Sequence, residues 1–156
     1  MPHRPLQHLK IMIVDAQPLD VLLLEDMLDV AGFHHRKGLT DVKLMLSLFG
    51  SYQPDLVIMG IGAEDNDAKN DERKNESAMS LLKRLRNTVE DSDYRPILVL
   101  LNQDDSALKR KALQHGATDL LLKPLDHTDA MLRINNLLLA RSLHLKQVYN
   151  ASHHLN

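Results

Sequence analysis

The sequence has no cysteine, which excludes disulfides and thiolate chemistry from whatever the chain does. A surplus of charge of either sign is missing too. With 19 Lys and Arg against 21 Asp and Glu, the formal net charge is -2 and the pI is near 6.5, so no global basic field attracts nucleic acid or an anionic membrane. No stretch approaches the roughly 20 apolar residues needed to span a bilayer. The N-terminal MPHRPLQHLK lacks the apolar core of a signal peptide. The expectation from these absences is a soluble, cytoplasmic protein with neither nucleic acid nor membrane among its partners.

What is present fits one domain. Of 156 residues, 44% are hydrophobic and 26% charged, enough apolar material for a single core. Four short apolar runs read as strands: KIMIV (10–14), DLVIM (55–59), PILVLL (96–101) and DLLL (119–122). They are continuous instead of alternating, as in a parallel sheet covered on both faces. Helical patterns at 18–32, 41–50, 77–89 and 106–116 separate them, and a weaker strand, HHRK (34–37), fills the remaining gap. Gly32, Gly50 and Gly116 stand where helices should end, and Pro18 where one should begin. The order is strand then helix five times over, an α/β fold whose last helix starts at about Asp126.

Open sheets of this kind place their sites outside the carboxyl ends of the strands. Four ends therefore matter. The first delivers Asp15, followed by Ala16; the third delivers Gly60; the fourth Leu101 and Asn102; the fifth Lys123, followed by Pro124. One carboxylate and one ammonium face a gap.

The pieces KIMIVDAQP, PDLVIM, RPILVLL and HGATDLLLKPLD, in this order and spacing, resemble a response-regulator receiver domain of two-component signalling over residues 8–140. The resemblance implies a three-layer α/β/α fold with a five-stranded parallel sheet in the order 2-1-3-4-5 and an extended C-terminal helix. It also implies a non-enzymatic signalling role. Asp15 matches the first acid of the family's acidic pair and Lys123 its phosphoryl-contacting lysine, and the Lys123–Pro124 bond is typically cis. Three positions depart. Ala16 replaces the second, Mg²⁺-ligating acid, Gly60 the phosphoaccepting aspartate, and Leu101 the switch hydroxyl.

Those departures remove the chemistry. An aspartyl phosphate needs a carboxylate nucleophile, and Mg²⁺ needs clustered oxygen ligands. Gly60 has no nucleophile to offer, Asp15 alone makes a poor metal site, and Leu101 only packs. No catalytic residue and no cofactor is expected, the Mg²⁺ site being degraded, and Lys123 should pair with Asp15. An engineered Gly60 in a working receiver would leave Ala16 and Leu101 unexplained. A flavodoxin-like domain binding a small anionic ligand at the same strand ends is the alternative, although DAQPLD lacks the Gly, Ser and Thr residues of a phosphate cradle.

Other motifs are weaker. GIGAED (60–65) has no third glycine for a dinucleotide site. The charged segment 63–77 puts Asp65, Asp67, Asp71 and Glu76 at calcium-loop positions, but Lys69 and Asn70 spoil the loop, and a solvated, mobile insertion is expected. His34–His35 and His153–His154 read as surface residues. Along the last helix, Met131, Ile134, Leu138, Arg141, Leu145, Val148, Ser152 and Leu155 follow steps of three and four. This pattern is expected to form a parallel homodimer contact through Leu138, Leu145 and Val148. Residues 141–156 should then be a helical extension that begins a linker to an output domain, if the full-length chain is longer; in the family such domains often make or degrade a cyclic dinucleotide. Expected partners are a second copy of the chain and a histidine kinase or other signalling protein, with helix 4, strand 5 and helix 5 as the regulatory surface.

Overall fold

The computed structural model describes residues 6–62 and 77–153. Five strands, β1 Ile11–Val14, β2 Arg36–Leu39, β3 Leu56–Ile61, β4 Ile97–Leu101 and β5 Asp119–Leu122, form one parallel sheet in the order β2-β1-β3-β4-β5. Between and after them run α1 Pro18–Val30, α2 Met45–Tyr52, α3 Ala78–Thr88, α4 Ser106–Gln114 and α5 His127–His153. The expected α/β/α layering, strand order and long last helix are all present.

The continuous apolar strands follow from double coverage. Ile11, Ile13, Ile58, Leu98 and Leu100 point to the side covered by α1 and α5. Met12, Val14, Met59, Val99 and Leu101 point to the side covered by α2, α3 and α4. Every residue of β1, β3 and β4 is buried, whereas the edge strand β2, with the sequence RKGL, is only half-buried or exposed. That polarity explains why β2 lies at 36–39 and not at the expected 34–37. Apolar pattern does not fix an edge strand, and its register is set by pairing of Ile11 with Arg36 and by the Ile11 N–H donating to the His35 carbonyl at 2.9 Å.

Helix ends show their causes. Ser77 accepts from the Ser80 N–H at 3.1 Å to cap α3, and Asp105 accepts from the Ala107 and Leu108 N–H groups to cap α4. Gly116 has φ of 116°, and a Cβ there would also collide with the Arg86 side chain, whose guanidinium donates twice to the Gly116 carbonyl. Gly50 is not a helix stop. It lies inside α2, and Gln53, at φ 55°, takes the left-handed position after it.

The largest correction concerns α5. Leu138 is fully buried against the sheet, together with Ile134 and Leu137, so it faces the domain's own core and not a dimer partner. Leu145 packs against the same cluster, while Val148 is half exposed beyond it. The stripe with steps of three and four is the one that covers the sheet, and burial inside one chain uses it up. The domain also continues past 140. Arg141, only 5% exposed, donates to Asp55 Oδ1 at 3.0 Å, to Asp93 Oδ1 at 2.6 Å and to the Tyr94 carbonyl at 3.0 Å.

His34 and His35 lie on the surface, His34 beside Asp29 at 3.3 Å, and His153 contacts the Tyr149 carbonyl. His154, Leu155, the rest of GIGAED after Gly62, and the calcium-loop reading of Asp65, Asp67, Asp71 and Glu76 fall outside the described residues. Among the described residues no helix is long and apolar enough to cross a membrane.

Candidate functional site

The site sits where β1, β3 and β5 end together. Asp15 directly follows β1, and its backbone N–H donates to the Leu39 carbonyl at 3.0 Å. The residue is 3% exposed. Its Oδ1 accepts from the Gln17 N–H at 2.9 Å, and its Oδ2 accepts from Lys123 Nζ at 2.7 Å. Lys123 is fixed from below by its own N–H, which donates to the Leu101 carbonyl at 2.8 Å. The Lys123–Pro124 bond is cis. The ion pair expected between Asp15 and Lys123 is therefore formed.

A second acid joins it. Asp20, in the first turn of α1, accepts from Lys123 Nζ at 2.9 Å, so one ammonium bridges two carboxylates. Burial pulls the Lys123 pKa down, but the hydrogen bonds and charges of Asp15 and Asp20 outweigh it and hold the amine above its ordinary value. The sequence reading missed Asp20. A carboxylate three residues into a helix that begins at Pro18 reads as a partner for the helix dipole, yet Pro18 starts α1 so soon after Asp15 that Asp20 returns to the same opening.

Gly60 explains the packing. A Cβ at this position would lie 2.1 Å from Asp15 Oδ2 and 2.5 Å from Asp15 Cγ. The Asp15 carboxylate thus occupies the space above the strand that a side chain at 60 would need, and only glycine permits it. The remaining candidates take no part in the pair. Leu101 is fully buried in the core on the α2, α3 and α4 side, whereas Ala16 and Asn102 are exposed. Among the described residues, no group of three or more His, Cys, Asp or Glu side chains is placed to hold a metal ion.

No family model and no curated protein matches the chain in sequence. Solved structures do match in shape. A protein from Chloroflexus aurantiacus described as a response regulator superposes with a TM-score of 0.67 at 25% identity, over 84% of this chain and 98% of that one. The chemotaxis protein CheY4 of Vibrio cholerae gives 0.66 at 19% identity, over 83% and 98%. A two-component response regulator/GGDEF domain protein gives 0.70 at 18% identity, over 87% of this chain and 51% of that one.

The fold is that of a response-regulator receiver domain. In this receiver fold the Asp15–Lys123–Asp20 cluster and Gly60 lie at the carboxyl end of the sheet, with Lys123 reaching in from the edge strand β5. The GGDEF neighbour carries its receiver fold within a chain about twice the aligned length, so a receiver of this shape also occurs joined to a further domain.

Proposed function

We propose that the chain is a degenerate, cytoplasmic receiver domain that signals without phosphoryl transfer, by protein contacts and dimerisation that control an output domain attached beyond α5. The observation that carries the reading is the Asp15 carboxylate folded over Gly60. The position equivalent to the phosphoacceptor holds no nucleophile, and the neighbouring acid is spent on Lys123 and the Gln17 N–H.

The residues do not fit the Mg²⁺ that receivers of this fold use. Asp15 and Asp20 both face an ammonium 2.7 and 2.9 Å away, and a dication entering there would meet that positive charge. Ala16 adds no oxygen. The internal lysine supplies the positive charge that the two acids require, so the cluster is complete without a metal or a phosphoryl group. The alternative of a small anionic ligand is opposed by the same geometry, since two carboxylates share one ammonium and leave net negative charge. A histidine kinase or another signalling protein would act on such a domain by binding alone.

Incubation with a small phosphodonor and Mg²⁺, followed by intact-mass measurement, tests the reading. No adduct is expected. A stoichiometric phosphoryl adduct mapped to the strand-end crevice would overturn it.

A further inference from the structure

Exposed hydrophobic residues are distributed unevenly over the two faces. On the side covered by α2, α3 and α4, the large exposed ones are Leu44, Leu113 and, at 36%, Leu122. On the other side α1 exposes Leu19, Leu22, Leu23 and Val30, and α5 exposes Leu132, Leu139 and Leu143 on its outer face, with Val148 and Tyr149 further along, each by half or more and Val30 by 84%. On α5 these leucines lie opposite the stripe that covers the sheet. α1 buries Val21, Leu24 and Leu28 on its inner side, so apolar residues stand on both its inner and outer sides, with the exposed Asp26 among the outer ones. Together the seven outer side chains, Leu19 to Leu143, expose on the order of 700 Å², most of the ~800 Å² that each partner of a standard interface buries.

Height along the helices decides what fits. α1 and α5 both start at the carboxyl end of the sheet, where Lys123 reaches Asp20, and one cavity of about 390 Å³ runs from there along α1, lined by Asp20, Leu23, Asp26 and Val30 together with Leu125 and His127. At 1.5 Å per residue, Leu23 and Leu132 both lie about 7.5 Å below the helix starts, Asp26 and Asn136 about 12–13.5 Å, and Val30 and Leu139 about 18 Å.

We infer that this face is the contact between two copies of the chain, related by a two-fold axis along the helices so that α1 of each lies on α5 of the other. The inference rests on the dimeric reading proposed above and gives it a surface. Leucine then meets leucine at the first level and valine meets leucine at the third. At the middle level Asp26, exposed and without a polar partner among the described residues, meets the carboxamide N–H of Asn136, which is exposed in the same way. The other two-fold, with α1 on α1, would set a helix carrying Asp20, Glu25, Asp26 and Asp29 and no base against itself. The chosen axis also sends both α5 ends out in the same direction, as a shared output requires.

The absence of cysteine makes the test direct. Chains carrying Val30→Cys and Leu139→Cys are purified separately and after co-expression, and each sample is oxidised and sedimented. A disulfide-linked dimer is expected from the co-expressed pair and not from either variant alone. Equally strong linkage of Val30→Cys with itself would mean α1 lies on α1 and overturns the inference. A dimer by sedimentation with no linkage in any sample overturns this surface while leaving the dimeric reading in place. A monomer at tens of micromolar removes both.

Discussion

Gly60→Ala adds one methyl group and no charge, yet it should be among the most damaging small substitutions in the protein. The new Cβ would sit 2.1 Å from Asp15 Oδ2, well inside the ~3.5 Å at which non-bonded heavy atoms begin to attract. Asp15 cannot absorb this by swinging into water, because it is 3% exposed and held on both oxygens. It must give up the 2.7 Å bond to Lys123 or the 2.9 Å bond from Gln17. A buried hydrogen bond to a charged group contributes about 1.5–3 kcal/mol, and unpairing a buried charge costs up to about 5. Lys123 keeps Asp20, so the low part of that range applies, about 3 kcal/mol. For a chain of this size that corresponds to a fall of ~6–12 °C in Tm. With no tryptophan in the chain, far-UV circular dichroism in urea is the suitable assay. The control is the same substitution in an Asp15→Ala background, where the methyl group finds free space and should cost less than about 1 kcal/mol. The resulting coupling of about 2 kcal/mol is the diagnostic quantity. If Gly60→Ala matches the wild type within ~0.5 kcal/mol, or if the two changes are additive, the carboxylate does not lie over Gly60 and the proposed reason for the dead site is wrong.

Three further outcomes follow from the same geometry. Arg141→Met should destabilise by about 3 kcal/mol by removing a buried charged partner, the low end because Asp55 keeps the Lys10 N–H and Asp93 keeps Arg95, and limited proteolysis should then cut within 142–153 faster than in the wild type. Leu138→Glu should abolish folding, since it buries a charge in the core, while Val148→Glu should leave the circular dichroism spectrum and melting curve unchanged. Lys123 is held above its ordinary value of 10.5, so the stability it adds is fully present below pH 10.5 and is lost as pH rises through its higher folded value; Lys123→Met should remove that alkaline decline, read as Tm against pH.

The covered strands were legible because burial on both faces needs unbroken apolar runs, and β1, β3 and β4 have them. β2 was displaced by two residues because an edge strand has no such requirement. Asp15 and Lys123 were legible from their places after strands. Asp20 was hidden by the ordinary reading of an acid in a first helical turn. Arg141 was hidden more deeply. Within an apolar stripe it read as an interruption, whereas its acceptors Asp55 and Asp93 stand 86 and 48 residues away in sequence, and no local pattern points to them. The seam itself was a real periodicity assigned to the wrong contact, since steps of three and four describe packing on a sheet as well as packing on another helix.

The anchoring of Arg141 gives α5 a fulcrum. The helix stays fixed to the domain as far as Leu145, with Ser142 buried and His144 accepting from the Tyr94 N–H at 3.2 Å, and beyond it the last residues to His153 project about 12 Å. A tilt of about 10° where this grip ends would sweep the far end through roughly 2 Å, taking the rise per residue as the arm's measure. Two of the three atoms that Arg141 grips belong to Asp93 and Tyr94, in the loop that enters β4. A shift of this loop would therefore be felt directly by the helix that it holds.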